Sequence, residues 1–274
     1  MREFTVKEKL NLKDFTDVVY PQGSFCYARL LKDRDIKVNG KRVDKNVKLE
    51  IGDIVAYYTT KKQEELKSHL IAYEDDNVYV ADKLSGVSFE GLYSEISAHT
   101  QLFAIHRLDR NTQGLIIFAK TRPAEQELLS AFKQHKINKT YFALCKNNFK
   151  EDKKLLRAYL KKDEKVSLVK VFQNPRQGAE EIVTQYEVLQ KLSDVALVKI
   201  ELHTGRTHQI RAHMAFIGCP VLGDGKYGDS ALNKKYGLKR QCLVAKYLSF
   251  ELSGSLAYLN DIKIQSAFEP SIKN

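Results

Sequence analysis

His106-Arg107-Leu108-Asp109-Arg110-Asn111-Thr112-Gln113-Gly114-Leu115-Ile116-Ile117-Phe118-Ala119 joins a polar, turn-forming run to an unbroken apolar one. A short continuous apolar run behind turn residues reads as a buried strand. The polar half sets an acid and two arginines beside the strand end, and guanidinium groups there keep a carboxylate ionised and aimed. The same residues in isolation also describe a surface turn pinned by an Arg–Asp pair, and taken alone they favour that turn.

Outward from this strand, Asn77-Val78-Tyr79-Val80-Ala81-Asp82 alternates as a second strand. Thr121-Arg122-Pro123-Ala124-Glu125 opens a helix, with proline in the first turn, an acid nearby, and Leu128, Leu129 and Phe132 forming its apolar face. Tyr141 to Cys145 reads as a short strand. Ile182, Thr184, Tyr186 and Val188 alternate, as do Ala196, Val198, Ile200 and Leu202, and the polar link at Ser193-Asp194 makes them an antiparallel hairpin. With no repeat and no βαβ alternation, the expected fold is α+β, a mostly antiparallel mixed sheet with peripheral helices.

Residues 1–60 read as a separate small α+β unit, 61–66 as a polar linker and 67–274 as the main domain. In the first unit a helical pattern over Tyr27–Lys32 precedes Ile36-Lys37-Val38-Asn39-Gly40-Lys41-Arg42-Val43, where Asn39-Gly40 marks a hairpin turn. Ile51-Gly52-Asp53 then turns into a further strand through Tyr57.

Composition narrows the function. The chain has 274 residues, 43% hydrophobic and 29% charged, which suits a globular protein with a sizeable core. No apolar run is long enough to span a membrane, and the charged start Met1-Arg2-Glu3-Phe4 lacks a signal-peptide core, so the expected location is cytoplasmic. Cys26, Cys145, Cys219 and Cys242 are scattered without CxxC spacing, which argues against disulfides or zinc, and three of the four sit beside apolar neighbours as small core residues do. Lys and Arg number 45 against 34 Asp and Glu, a net charge of +11, and the stretch from Lys136 to Arg176 alone holds 12 basic and 4 acidic residues. That balance favours a polyanionic partner such as nucleic acid, although a basic surface also arises without function.

Three more segments carry chemistry. Lys139-Thr140-Tyr141-Phe142-Ala143-Leu144 is a K-x-Y-x-A-L run, and Thr204-Gly205-Arg206-Thr207-His208-Gln209-Ile210-Arg211-Ala212-His213 continues into Gly218-Cys219-Pro220-Val221-Leu222-Gly223-Asp224. Asp82-Lys83-Leu84-Ser85-Gly86 is a weaker fourth piece. With the Asp109 segment they resemble the RluA family of RNA pseudouridine synthases, whose motifs read HRLDxxTSG, KxYxAL, GRxHQIRxH…GxPxxGD and NKPxG. The resemblance spans roughly Asn77 to Tyr227, with Gln113 in place of the usual Ser and Leu84 in place of the usual Pro. The helix, hairpin and Gly-Asp order of the first unit resembles the S4 RNA-binding domain, with Pro21-Gln22-Gly23-Ser24 where that pattern has a clearer loop and arginines.

The resemblance implies an isomerase that breaks the N1–C1′ bond of uridine, turns the base and joins C5 to C1′, with no cofactor and no metal. Asp109 is implied as the catalytic carboxylate, either adding covalently or stabilising positive charge at C1′. Arg211 is implied as its ionic partner, and Tyr141 as the active-site tyrosine that stacks on uracil or moves a proton; by spacing alone Tyr141 is a core aromatic. Arg107 is implied either to hold an extruded nucleotide or to form an internal salt bridge with an acid of its own loop. Lys139, Arg206 and His208, and Lys37, Asn39, Lys41 and Arg42 of the hairpin, are the further RNA-binding candidates. His106 and His208 read as hydrogen-bonding groups of the site wall. The five-residue spacing of His203, His208 and His213 turns them about 140° apart on a helix, off any common metal-binding face.

The implied partner is RNA, large-subunit ribosomal RNA first and transfer RNA second, bound by a monomer with no membrane contact. Two alternatives belong to other classes: an RNA- or ribosome-binding protein that has kept this fold without catalysis, and a glycosidase, which would need paired carboxylates where the matched motifs offer one reacting acid. Removing residues before Leu66 is expected to weaken RNA binding more than chemistry.

Overall fold

The computed structural model describes residues 1–65, 67–163 and 168–272. Leu66, where the expected linker ends, residues 164–167 of the basic stretch, and the last two residues of the main domain lie outside the described residues.

The N-terminal unit runs β1 (Arg2–Thr5), α1 (Leu12–Val19), α2 (Pro21–Phe25), α3 (Tyr27–Lys32), β2 (Ile36–Val38), β3 (Lys41–Val43) and β4 (Ile54–Tyr57). Its antiparallel sheet has the order β1-β4-β2-β3. The helices close over it through Leu12, Phe15, Leu30, Ile36, Val55 and Tyr57, all buried. The β2–β3 hairpin turns at Asn39 and Gly40, both at positive φ (50° and 78°) as an Asn-Gly turn demands. Pro21–Ser24, which stands where the S4 pattern has a clearer loop and arginines, belongs to the helix α2, with proline in its first turn where the missing N–H costs nothing. The expected linker is also partly helical: α4 (Lys61–Glu64) begins in a Thr60–Gln63 capping box, which supplies the order that apolar periodicity does not.

The main domain continues with β5 (His69–Glu74), β6 (Val78–Lys83), α5 (Phe89–Ser97), β7 (Phe103–Ala104), β8 (Gln113–Ala119), α6 (Arg122–Lys133), β9 (Ile137–Lys146), β10 (Lys153–Asp163), β11 (Leu168–Phe172), β12 (Glu180–Leu192), β13 (Val195–Leu202), α7 (Gln209–Phe216), α8 (Ser230–Lys235), β14 (Leu243–Phe250) and β15 (Ile264–Gln265). Among the described residues these strands make one sheet in the order β11-β10-β12-β13-β9-β14-β8-β6-β5, with β15 on β14 and β7 on β8. Every pairing is antiparallel except β8 with β14. The mixed, mostly antiparallel expectation therefore describes the sheet.

Strand β8, the apolar run behind the Asp109 loop, is buried on both faces. Leu115, Ile117 and Ala119 pack with Leu128 of α6, while Ile116 and Phe118 face the core of Leu92, Tyr141, Ala143 and Val198. Thr121 caps α6 by accepting the Ala124 N–H, and Ala124, Leu128 and Ala131 are its buried residues. Leu129, expected on that face, is exposed, because the face that meets β8 passes through Leu128 and Ala131. The Tyr141 strand is longer than expected: β9 pairs along its length with β13 on one side and β14 on the other. Cys145, Cys219 and Cys242 are buried free thiols, in keeping with core packing. Among the described residues no helix is long and apolar enough to cross a membrane.

Gly114 fixes where the polar loop meets β8. Its φ is +107°, and a Cβ there would stand 2.3 Å from the Ala245 carbonyl oxygen, so only glycine lets β8 and β14 approach. The Asp109 loop thereby enters the sheet at its single parallel junction.

Candidate active site

The loop carrying Asp109 is fastened from below. Lys83, fully buried at the end of β6, donates to the carbonyls of Leu84 (3.1 Å), Val87 (2.9 Å) and Arg110 (2.9 Å). Burial chiefly, with the neighbouring Arg110 charge, brings its amine down to about 7, although Asp109 opposes the shift. Gly86 N–H also donates to Arg110 O at 2.9 Å, and Ser85 Oγ to Asn111 O at 3.0 Å. Leu84, where the family pattern has proline, donates its N–H to Ser68 O at 2.8 Å, a bond proline lacks. The substitution thus gains a tie to the segment ahead of β5.

Arg211 comes from α7, and the turn before that helix is held by Gln209. The Gln209 side chain accepts from Arg206 N–H (3.0 Å) and the Thr204 hydroxyl (2.9 Å) and donates to Thr184 Oγ1 (3.0 Å). Arg211 Nη1 donates to Asp109 Oδ2 at 2.7 Å. Its Nε and Nη2 donate to Asp224 Oδ2 (2.6 Å) and Oδ1 (2.9 Å), a bidentate pair buried from water. Burial works against the Arg211 charge, but Asp224 and then Asp109 outweigh it and hold the guanidinium above its ordinary value. Burial likewise opposes the Asp224 charge, and Arg211 with the N–H groups of Lys226 and Tyr227 brings the carboxyl below its ordinary range. Asp224 was missed as a functional residue, although the Gly223-Asp224 that closes the matched segment carried the signal.

Of the arginines expected to hold Asp109, Arg211 is the one that reaches it. Neither flanking arginine holds it: Arg107 pairs with Glu90 of α5 at 3.1 Å and lies over the Phe89 ring, and Arg110 pairs with Asp17 of the N-terminal unit. Arg107 does form a salt bridge, but with α5 and not with an acid of its own loop. Asp109 Oδ1 has no hydrogen bond among the described residues, and the side chain is one-quarter exposed.

Tyr141 on β9 is buried and shares a narrow cleft with Asp109, His208, Arg206 and Arg211. Burial, reinforced by the Asp109 charge, pushes its phenol above its ordinary value, so at neutral pH it is an uncharged O–H group. His208 opens α7 at φ +57°, with Nε2 3.8 Å from Asp109 Oδ2 and Nδ1 in a 2.9 Å hydrogen bond with the Tyr227 hydroxyl. Burial chiefly lowers its pKa, and its partner Asp109 resists that shift. His106 accepts the Ile117 N–H on Nε2 at 3.1 Å and packs against Phe132, a wall group as expected.

The cleft adjoins wider cavities. One of about 500 Å³ is lined by Arg107, Lys133, Lys139, Tyr141 and Arg206 without an acid, and another of about 690 Å³ by Lys13, Lys162, Arg206 and Lys226 beside Asp109. Lys139 is lowered by burial and lies 4.9 Å from the Phe132 ring centre. Arg206 is half-exposed and pairs with Glu180 at 3.0 Å. The hairpin candidates do not line these cavities. Asn39 spends its amide on Asp53 and on the Ile54 N–H, Arg42 donates to Arg34 O, Lys37 lies over the Tyr58 ring, and Lys41 is exposed. Among the described residues no cluster of His, Cys, Asp and Glu is placed to hold a metal.

Burial holds His106 at about 3 and His213 at about 4, both neutral in the folded chain. An unfolded histidine takes its proton near 6.5, so each stabilises the fold fully above about pH 6.5 and loses that contribution as pH falls, by roughly 1.4 kcal/mol per unit. Asp17, Asp82 and Glu95, raised by burial, act in the opposite sense. The expected result is therefore differential: His213→Gln flattens the acid limb of stability against wild type in urea titrations from pH ~7.5 to ~5. Parallel limbs would remove His213 from the acid response.

The sequence profile described as RNA pseudouridylate synthase matches residues 56–216. A Vibrio cholerae protein named ribosomal large subunit pseudouridine synthase C is 34% identical over 252 residues, covering 81% of this chain and 78% of that one. The Escherichia coli K12 protein of the same name is 30% identical over 256 residues, covering 83% and 80%. The solved structure of human RNA Pseudouridylate Synthase Domain Containing 1 superposes with a TM-score of 0.58 at 24% identity, over 68% of this chain and 79% of that one, a likeness of fold.

Proposed function

The chain belongs to the RluA-type family of RNA pseudouridine synthases, and from that premise we propose that it isomerises uridine in large-subunit ribosomal RNA with Asp109 as the reacting carboxylate. The Arg211–Asp109 ion pair carries the residue-level part of this reading, because it aims one carboxylate oxygen and, among the described residues, leaves the other without a hydrogen-bond partner. The ribosomal substrate is carried by the names of the relatives.

The reaction breaks N1–C1′, forms C5–C1′, releases the C5 proton and protonates N1, with no net oxidation. Asp109 meets the electron-poor C1′ or adds covalently to the nucleotide; both routes use a charged, oriented carboxylate. Arg211, anchored twice by Asp224, keeps that orientation without reorganising during the reaction. Tyr141 presents a ring for the flipped uracil and a protonated phenol that can hydrogen-bond it. Lys139, Arg206, Lys13 and Lys162 offer cations to the strand on either side. The N-terminal unit is read as an S4-like RNA-binding domain. The chain is read as a monomer working in the cytoplasm.

RNA labelled with tritium at uridine C5 tests the proposal, since each isomerisation releases that hydrogen to water. Release from large-subunit ribosomal RNA is expected. Release from transfer RNA alone would move the substrate, and none from either would leave the binding-only alternative. Lys139→Gln should weaken RNA binding several-fold and flatten the dependence of log Kd on log salt by about one contact. An unchanged slope would take Lys139 off the RNA path.

A further inference from the structure

The arginine that follows Asp109 is held by the N-terminal unit. Arg110 Nη2 pairs with Asp17 Oδ2 of α1, and Nη1 reaches Gly86 O at 3.2 Å and Ser24 Oγ of α2 at 3.4 Å. Ser24 Oγ donates in turn to Asp17 Oδ1 at 2.5 Å. The Asp17 side chain is 8% exposed and that of Arg110 26%. The backbone of Arg110 is fixed from the other side by Lys83 and Gly86. One residue of the Asp109 loop is therefore held at its carbonyl by the main domain and at its guanidinium by a unit distant in sequence.

The docking extends beyond this pair. Ser94 Oγ of α5 donates to Val18 O at 2.9 Å, and a Cβ on Gly91 would come within 3.0 Å of Asp17 O. Glycine at 91 lets α5 meet the backbone of α1. Lys13, on the same helix as Asp17, then lines the cavity that Asp109 and Arg211 share.

We propose that Asp17 is a positioning residue for the reaction, acting through Arg110 to set the Asp109 loop, so that the N-terminal unit is part of the catalytic scaffold as well as an RNA contact. The proposal rests on Asp109 as the reacting carboxylate. A buried ion pair resists the loss of one partner because the other charge is left in a poor solvent. A shift of about 1 Å in a reacting group can cost roughly a hundredfold in rate. Truncation before Leu66 would accordingly impair chemistry too, in contrast to the expectation that binding suffers more.

The test uses the full chain and tritium release under single turnover with enzyme in excess, alongside RNA Kd. Asp17→Asn is expected to slow the saturated rate roughly tenfold with Kd within about twofold, and Asp17→Glu, which keeps the charge, to retain more of the rate. In an Arg110→Met background, Asp17→Asn should add little, since the path it acts through is already gone. Ser24→Ala removes only the bridging hydroxyl and should slow the same step by about threefold; it decides the matter if Asp17→Asn does not fold. A wild-type saturated rate in Asp17→Asn, a loss confined to Kd, a full effect persisting without Arg110, or an unaltered Ser24→Ala each overturns the proposal. A wild-type chain with no turnover on any RNA would instead sink the functional reading, a distinguishable result.

Discussion

Asp109→Asn is expected to lower pseudouridine formation by about four orders of magnitude, roughly 5.4 kcal/mol of barrier, while RNA affinity stays within about threefold. The substitution keeps the side-chain shape and lets the amide oxygen still accept from Arg211, whose other donors remain on Asp224. The fold is therefore not asked to absorb an unpaired buried charge. What disappears is the carboxylate proposed to meet C1′, and Asp224 does not replace it, being buried with both oxygens engaged by Arg211. Single-turnover tritium release and a binding isotherm on the same preparation check both halves. Near-normal turnover would contradict the assignment of Asp109.

Asp224→Asn is expected to damage both stability and rate. It leaves the Arg211 guanidinium, 9% exposed, with Asp109 as its one remaining anion among the described residues. Removing one partner of such a pair costs about 3–5 kcal/mol. The amide would also set its NH₂ against donors in either orientation, Arg211 Nε in one or Arg211 Nη2 with the N–H groups of Lys226 and Tyr227 in the other, so at least one donor is left unmet. With Arg211 free to rotate, Asp109 loses its fixed partner, and a fall of roughly a hundredfold in turnover follows. Chemical denaturation and the saturated rate, measured below the variant's melting range, separate the two effects. Wild-type stability in this variant would show that Asp224 does not anchor Arg211.

Much of this was legible in the sequence because it was written in local patterns. The β8 run, the cap and first-turn proline of α6, the Asn-Gly hairpin and the alternation of β12 and β13 each report their own geometry within a few residues. The matched segments likewise pointed to Asp109, Tyr141 and Arg211, and the chain folds all three around one cleft. Contacts that cross the chain were not legible. Arg107 and Arg110 beside Asp109 look like its partners, yet Glu90 and Asp17 take them, and no sequence periodicity links Asp17 to Arg110 across 93 positions. Asp224 was in plain view, but its value depends on α7 turning Arg211 toward it. Asn39 stood out as an RNA-binding candidate, yet its amide is consumed by Asp53 and the Ile54 N–H at the start of β4, 14 and 15 positions away.

The most direct test of the central claim is a pseudouridine map of ribosomal and transfer RNA from cells lacking this chain, complemented with wild type or with Asp109→Asn. Specific sites in large-subunit ribosomal RNA are expected to vanish on deletion, return with wild type, and stay absent with Asp109→Asn. A map unchanged by the deletion, or sites restored equally by Asp109→Asn, would contradict it.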